Sequence, residues 1–168
     1  MGREVRRVPA TWQHPKNENG HHIPLFGRSY SVAVARWDEE AAQWENGFRR
    51  DYQSDGWTAK DPHHTYPFED WDGPRPTPES YMPDWSDSER THWQMYETCS
   101  EGTPISPVMD TPEKLARWLA DSGASAFGGM TASYEGWLAT IQSEHGSVGM
   151  LAVPGGPMIS GVDAMARK

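Results

Sequence analysis

The sequence is poor in cysteine and has no long apolar run. Its 168 residues contain one cysteine, Cys99, so a single chain can close no disulfide and build no thiolate zinc cluster. We therefore expect a reducing compartment. No apolar stretch approaches the roughly 20 residues that span a bilayer, and the N-terminus lacks the apolar core of a secretory signal. These absences predict a protein that does not cross a membrane and is not exported by that route.

Basic residues are too few for a surface that binds nucleic acid. The chain holds 15 Lys and Arg against 24 Asp and Glu, a formal net charge of -9 at pH 7, whereas nucleic-acid affinity depends on Lys and Arg contacts with phosphates. The only basic concentration is near the start, where Arg3, Arg6, Arg7 and Lys16 stand against Glu4. A few charges on a terminal arm are usually solvated. We expect no direct binding to DNA or RNA.

Recognisable catalytic and cofactor motifs are also missing. No G-x-S-x-G, G-x-x-x-x-G-K-[ST] or G-x-G-x-x-G pattern occurs, and these are the signatures of α/β-hydrolases, P-loop proteins and dinucleotide-binding folds. The doublets His21-His22 and His63-His64 are poor metal sites, because neighbours in extended chain point to opposite faces. Cys99 falls in a predicted turn rather than at a helix N-terminus, where a thiolate is stabilised. The sequence predicts no catalytic residue, no metal site and no cofactor.

Aromatic residues are what the chain has in quantity: 9 Trp, 6 Tyr and 4 Phe. Each aromatic side chain buries a large area, so we expect a core that is aromatic rather than aliphatic. The length suits one domain, and we predict a single domain over residues 1–168 of the α+β class. It should contain a long amphipathic helix, a short antiparallel hairpin, two further helices and long irregular segments rich in Pro and Trp.

The first part of the chain predicts an arm followed by a helix. Pro9, Pro15 and Pro24 prevent a persistent helix over residues 1–29, which we interpret as an extended arm. Over residues 30–52, apolar positions recur at steps of three and four, the spacing of one helical face, and a Ser lies near the expected N-cap. The residues of that face are Val34, Trp37, Ala41, Trp44 and Phe48.

Residues 53–91 carry repeated prolines among aromatic and acidic residues, and we predict an ordered loop. Long irregular segments in compact domains are usually functional loops or disorder. Two interpretations of the aromatic residues stay open. In the plug interpretation they are buried and anchor the loop to its own core. In the binding interpretation they form an exposed surface rimmed by acidic residues, since Trp and Tyr are enriched at binding hot spots. The residues of the binding interpretation are Trp57, Glu69, Asp70, Trp71, Asp72, Tyr81, Asp84 and Trp85.

Residues 92–168 predict a hairpin, two helices and short strands. Residues 92–98 suit a strand, with a helix as the alternative, and residues 105–109 suit an edge strand interrupted by Pro107. Residues 100–102 would form the turn between them. The tail predicts two short strands around a Pro-Gly-Gly turn and a terminal helical turn.

The two helices of this region have clear local signals. Thr111 is the expected N-cap of the first, with Pro at its first position, and Gly123 ends it. Thr131 is the expected N-cap of the second. The predicted buried residues are Leu115, Trp118 and Leu119 in the first helix and Tyr134, Trp137, Leu138 and Ile141 in the second.

Three strings carry a resemblance: "VRRVPATWQHP" at 5–15, "YMPDW" at 81–85 and "SEGTPISPVMDTPEKLARWLADSGASAFGGMTASYEGWL" at 100–138. They resemble a group of proteins encoded by tailed bacteriophages and prophages. The resemblance covers most of the chain, and it implies a setting rather than a chemistry, since the group has no established activity. Some members that share the V-R-R-V-P opening carry closely spaced cysteine pairs suggestive of zinc binding, which this chain lacks.

The resemblance implies a small accessory protein in the cytoplasm of a bacterial host. Acidic phage proteins without catalytic motifs commonly act by binding, so the expected partner is a host protein or complex that is inhibited or modulated, for instance one of a defence system. An acidic chain would dock on a basic surface. Two alternatives stay open: a small hydrolase or transferase whose site no motif reveals, and a structural component of the virion.

Overall fold

The computed structural model describes residues 2–98, 102–143, 147, 149–152 and 158–166. Helices and antiparallel strand pairs occur together, which confirms the α+β class. In the described ranges, no helix combines the length and the apolar character needed to cross a bilayer. The elements in chain order are β1 (Arg3–Val8), α1 (Tyr30–Glu45), β2 (Phe48–Asp51), β3 (Gly56–Ala59), α2 (Phe68–Asp72), a 3-10 turn (Pro78–Ser80), β4 (His92–Glu97), β5 (Thr103–Pro104), α3 (Pro112–Asp121), α4 (Tyr134–Gln142), β6 (Met150–Ala152), β7 (Met158–Ser160) and α5 (Gly161–Met165).

Contacts divide the chain into two compact units. Unit 1 comprises Met1–Leu25 with Trp85–Lys168, and unit 2 comprises Phe26–Asp84. The expected loop at 53–91 is therefore shared between them, and it contains β3, α2 and the 3-10 turn rather than being irregular throughout. That the whole chain forms one domain stays a prediction.

Unit 1 is built on a three-stranded antiparallel sheet in the order β1, β4, β5. β1 pairs with β4 from Arg3 opposite Glu97 to Val8 opposite His92. The predicted strand at 92–98 is thus confirmed as β4, and its helical alternative is wrong. Residues 3–8 of the predicted extended arm are extended, but they form a sheet strand. The pairing was not predicted, because a strand in a sequence-distant pair leaves no local sign of its partner.

The strand that follows β4 is shorter than the predicted 105–109. β5 ends at Pro104, and the Met95 amide donates to the Ser106 hydroxyl at 2.9 Å instead of to a backbone carbonyl. The Ile105 amide still donates to the Met95 carbonyl at 2.8 Å, and farther along the amides of Trp93 and Met109 each donate to the other's carbonyl at 2.9 Å. A serine side chain thus replaces a strand carbonyl in the middle of this edge.

Two arginines expected to be solvated are buried in unit 1. Arg3 is 2% exposed and Arg6 is 9% exposed. The Arg3 Nε donates to the Ser125 carbonyl at 2.7 Å, and Arg6 Nη1 donates to the Leu25 carbonyl at 2.8 Å. A buried charge persists only where hydrogen bonds compensate its lost hydration. Backbone carbonyls supply part of that compensation; the Glu4 carboxylate accepts from Arg6 Nη2 and the Ser125 hydroxyl from Arg3 Nη2, each at 3.1 Å. A sequence pattern does not reveal these partners.

The core of unit 1 lies where β4 meets α3, α4 and α5. Thr111 caps α3 as predicted, its hydroxyl accepting from the Lys114 amide at 3.2 Å. The cap of α4 is Ser133 rather than Thr131. Asp163 of α5 explains the difference, since its carboxylate accepts from both the amide and the hydroxyl of Ser133 at 2.9 Å.

The predicted buried faces of α3 and α4 are confirmed in part. Leu115, Leu119, Trp137 and Ile141 are at most 1% exposed. Trp118 is only half-buried, so its predicted full burial is wrong. Its position on α3 lies at the edge of the core. Tyr134 and Leu138 lie at the same edge and pack against the buried residues.

In unit 2, α1 ends at Glu45 rather than at the predicted Tyr52. Gly47 adopts a left-handed φ of +87°, and the chain then turns into the β2–β3 hairpin. Phe48 consequently leaves the helical face and is 44% exposed. Trp44 is fully buried as predicted, whereas Trp37 is only half-buried.

The remaining predictions concern the tail and the turns. The two short strands and the terminal helical turn are confirmed as β6, β7 and α5. Cys99 lies outside the described residues, as do the Pro-Gly-Gly turn at 154–156 and all of the 100–102 turn except Gly102.

Gly102 gives a sharp test of the packing around β5. It has φ +101°, and a Cβ there would overlap the Leu25 carbonyl and lie 2.5 Å from Arg6 Nη2. Gly102→Ala should lower the free energy of unfolding by about 3 kcal/mol or more, because backbone strain adds to displacement of a buried arginine. Urea denaturation measures this.

Gly20 is the matched control for that substitution. It also has a left-handed φ, +80°, but no atom lies within 4 Å of its Cβ position. Gly20→Ala should therefore cost only backbone strain, about 1 to 2 kcal/mol. Equal losses for the two variants would contradict the close packing at Gly102.

Candidate functional site

The residues predicted as a binding surface are divided between the two units. Trp85 belongs to unit 1 and the other seven belong to unit 2. Within unit 2, Tyr81 is only 5% exposed and packs against Phe26 and Tyr30 at centroid distances of 5.2 and 5.7 Å. Burial of this kind matches the plug interpretation for Tyr81.

The two outlying tryptophans are also partly covered. Trp85 is half-buried and meets Trp12 edge-on at 4.7 Å. Trp57, on β3, is half-buried. The Arg50 guanidinium lies over the Trp57 ring, 5.4 Å from the ring centre. Asp84, the last residue of unit 2, is exposed. Neither tryptophan presents a free indole.

Trp71 differs from the other aromatics of the set because it is 45% exposed. It lies on α2, a single helical turn that buries Phe68 at 6% exposure. Glu69 and Asp70 occupy the first turn of α2 and are exposed, a position where the helix dipole favours negative charge. Asp72 follows and is exposed as well. Glu69, Asp70, Trp71 and Asp72 are thus four consecutive exposed residues of α2; we call these four residues the α2 surface.

A buried stack of rings supports the exposed indole. Trp71 stacks on Trp44 at 5.3 Å with an interplanar angle of 28°, and His64 lies 5.0 Å from it. Trp44 is fully buried, and its Nε1 donates to the Tyr66 carbonyl at 2.9 Å. Such ring contacts add to the stabilisation from buried area and favour the observed orientation of the Trp71 side chain.

Lys60 completes the support beneath Trp71. Its ammonium lies 4.5 Å from the centre of the Trp44 ring and donates to the Trp44 carbonyl at 2.8 Å. A cation over an indole face is attracted to the ring quadrupole. The sequence predicted that Trp44 is buried, but it did not predict that Lys60 and His64 contact the tryptophan rings. For His64 the His63-His64 doublet was the only signal, and for Lys60 there was none.

The electrostatics of unit 2 are strongly acidic. It carries twelve Asp and Glu against six Lys and Arg, a net charge of -6 out of -9 for the whole chain. Glu40 is 3% exposed and is neutralised by Arg36, whose Nε donates to it at 2.7 Å. Partial burial, and then the charge of Glu40, raise the pKa of the Asp72 carboxyl, while Arg36 and Arg28 oppose that shift.

Unit 1 contains a buried polar network that the sequence did not indicate. Trp12 Nε1 donates to the Tyr96 hydroxyl at 3.1 Å, and that hydroxyl donates to Gln94 Oε1 at 2.8 Å. His14 Nε2 donates to the Ile23 carbonyl at 2.7 Å. Because a carbonyl can only accept, the His14 proton resides on Nε2, and Nδ1 faces the Tyr96 hydroxyl at 3.4 Å.

This network holds its titratable groups in their neutral forms. Burial raises the pKa of Tyr96 to about 12. Burial is also the main cause of the lowered pKa of His14, and the charges of His22 and Arg6 lower it further. The hydrogen bond to the Ile23 carbonyl acts in the opposite direction and raises the pKa. A neutral imidazole beside a neutral phenol avoids a desolvated charge.

Within the described residues, no group of three or more His, Cys, Asp or Glu side chains is placed to hold a metal ion. Comparisons of the chain with protein-family models, with curated proteins and with solved structures found no match. The resemblance to phage-encoded proteins therefore stays a prediction.

The ring stack predicts that Trp44 and Trp71 contribute differently to stability. Trp44→Ala should lower the free energy of unfolding by about 3 to 5 kcal/mol, because it leaves a cavity under α2. Trp71→Ala should cost about 1 kcal/mol, since it removes mainly a ring contact at the surface. Thermal and urea unfolding measure both, and a loss for Trp71→Ala as large as that for Trp44→Ala would show that Trp71 is a plug.

The buried His14 predicts a pH dependence of stability. Its pKa is lowered from the ordinary 6.5 in the folded state, so the unfolded chain binds more protons as the pH falls below that value. Stability should therefore decrease from pH 7.5 to 5.5, by at most about 1.4 kcal/mol per pH unit for one group. His14→Gln should show a shallower decrease in urea unfolding, and equal slopes for the variant and the wild type would contradict the assignment.

Proposed function

We propose that this chain is an accessory protein of a phage or prophage that binds a basic surface on a host protein or complex and inhibits or modulates it. The observation that carries the proposal is Trp71, an indole 45% exposed that is stacked on a fully buried Trp44 and flanked by exposed carboxylates. The resemblance to phage-encoded proteins supplies the setting. The lone cysteine suits the reducing cytoplasm of a bacterial host.

A rigidly held tryptophan is an effective binding residue. Association costs entropy when interface side chains must be ordered, and the stack on Trp44 would reduce that cost for Trp71. Tryptophan is among the residues most enriched at hot spots, where a few side chains provide most of the binding energy. Trp71 would therefore fill a pocket on the partner without first losing mobility.

The charge of unit 2 selects the kind of partner. A net charge of -6, with Glu69, Asp70 and Asp72 on the same helical turn as Trp71, favours a complementary basic surface. Complementary charges mainly raise the association rate and suppress wrong partners, and their effect weakens as salt screens them. A nucleic-acid-binding protein of the host would offer such a surface.

An affinity capture from infected host cells tests the proposal. The tagged full chain is compared with Trp71→Ala and with Trp57→Ala, a half-buried tryptophan of the same unit that serves as the matched control. The partner should be retained by the Trp57 variant and lost by the Trp71 variant, with an affinity decrease of at least about 30-fold, or 2 kcal/mol. Equal retention by both variants would refute a role for the α2 surface.

Charge neutralisation provides a second test with the captured partner. The double variant Glu69→Gln, Asp70→Asn should slow association about tenfold at low salt and leave dissociation nearly unchanged, since surface charges act on encounter. Glu79→Gln, an exposed acid on the 3-10 turn of the same unit, is the control. Failure to capture any partner would instead favour an enzyme or a virion component.

A further inference from the structure

Unit 1 has an open cleft of about 890 Å³. The segment after β1 contributes Trp12, His14, Lys16 and His22 to its lining, and the region around α3 contributes Trp118. A cleft of this size matches small-molecule sites, which are usually pockets of about 300 to 1,000 Å³ with a few convergent polar groups.

The charge of the cleft is opposite to that of the chain. None of the described residues that line it is Asp or Glu, although the sequence has 24 acids against 15 bases. Lys16 supplies the positive charge of its described lining, because burial lowers the pKa of both His14 and His22 and favours their neutral forms. Because a recessed site concentrates the field of the charges that line it, this cleft favours an anionic ligand.

A tight hairpin fixes the basic groups. Lys16 and His22 are antiparallel bridge partners, so their side chains lie on the same face. The Asn17 amide donates to the His21 carbonyl at 2.8 Å, and the Asn17 side chain accepts from the His21 amide at 3.0 Å. His22 in turn meets His14 edge-on at 5.4 Å. The ammonium and the imidazole are therefore presented together.

Two indoles give the cleft flat apolar surface. Trp12 is fixed by its hydrogen bond to Tyr96 and by its edge contact with Trp85. Trp118 is half-buried on α3, which leaves part of its ring at the cleft. Exposed aromatic faces are the surfaces on which nucleobases stack.

We propose that this cleft binds a mononucleotide, with the base against the indoles and the phosphate beside Lys16 and His22. The base of the nucleotide accounts for the two indoles in the lining, and its phosphate accounts for Lys16. A polynucleotide does not fit, since affinity for it requires many phosphate contacts and the cleft has one lysine. The inference concerns unit 1 alone and does not rest on the proposed protein-binding function.

Calorimetric titration of the full chain tests this site. AMP, GMP, CMP and UMP are the probes, with adenosine and ribose 5-phosphate as half-ligands. We expect at least one mononucleotide to bind with a Kd below about 1 mM, to quench tryptophan fluorescence, and to bind at least tenfold more tightly than either half-ligand. Binding of ribose 5-phosphate as tight as that of the nucleotides would overturn the proposal in favour of a simple anion site. No binding of any nucleotide at about 10 mM would overturn it outright.

Two lysine variants locate the binding site. Lys16 is exposed, so Lys16→Ala should fold normally and bind the nucleotide about tenfold more weakly, through loss of a charge-assisted contact with the phosphate. Lys114, an exposed lysine of α3 paired with Asp110, is the matched control, and Lys114→Ala should leave the affinity unchanged. Unaltered binding by Lys16→Ala would place the ligand elsewhere and overturn the assignment.

Discussion

The antiparallel pairing of β1 with β4 is the constraint on which unit 1 depends. It brings the N-terminal segment beside the central strand and fixes which face each residue of β4 presents. Met95 enters the core with α3 and α4, while Tyr96 receives the indole N–H of Trp12 and faces His14. A one-residue slip of register would exchange these faces and put a phenol into the apolar core. The core and the floor of the cleft therefore follow from one register.

In unit 2 the aromatic side chains of the loop differ in how deeply they are buried. Tyr81 and Phe68 are buried and pin the chain, while Trp71 uses the buried Trp44 as a support and remains half in solvent. The buried Phe68 fixes the position of α2, and that position leaves Trp71 exposed.

The sequence predicted elements whose signals are local. Thr111 and the apolar spacing located α3, and a short aromatic run located β4. Features that depend on distant partners were missed: Ser133 caps α4 because Asp163 holds it, and Arg3 is buried because the Ser125 carbonyl accepts from it. The predicted α1 was too long because its apolar spacing continues past Gly47. The left-handed backbone at Gly47, which ends the helix, is visible only in the structure. The role of Trp71 in binding stays a prediction, and its contact with Trp44 could be seen only in the fold.

The central claim is that the chain acts by binding through the α2 surface. Hydrogen–deuterium exchange of the full chain, alone and in complex with the captured host protein, tests it directly, because exchange reports local protection along the backbone. The account predicts slowed exchange over α2 and over the adjoining residues 64–67 in the complex, reversed by high salt. Unchanged exchange over these residues, with protection confined to unit 1, would contradict it.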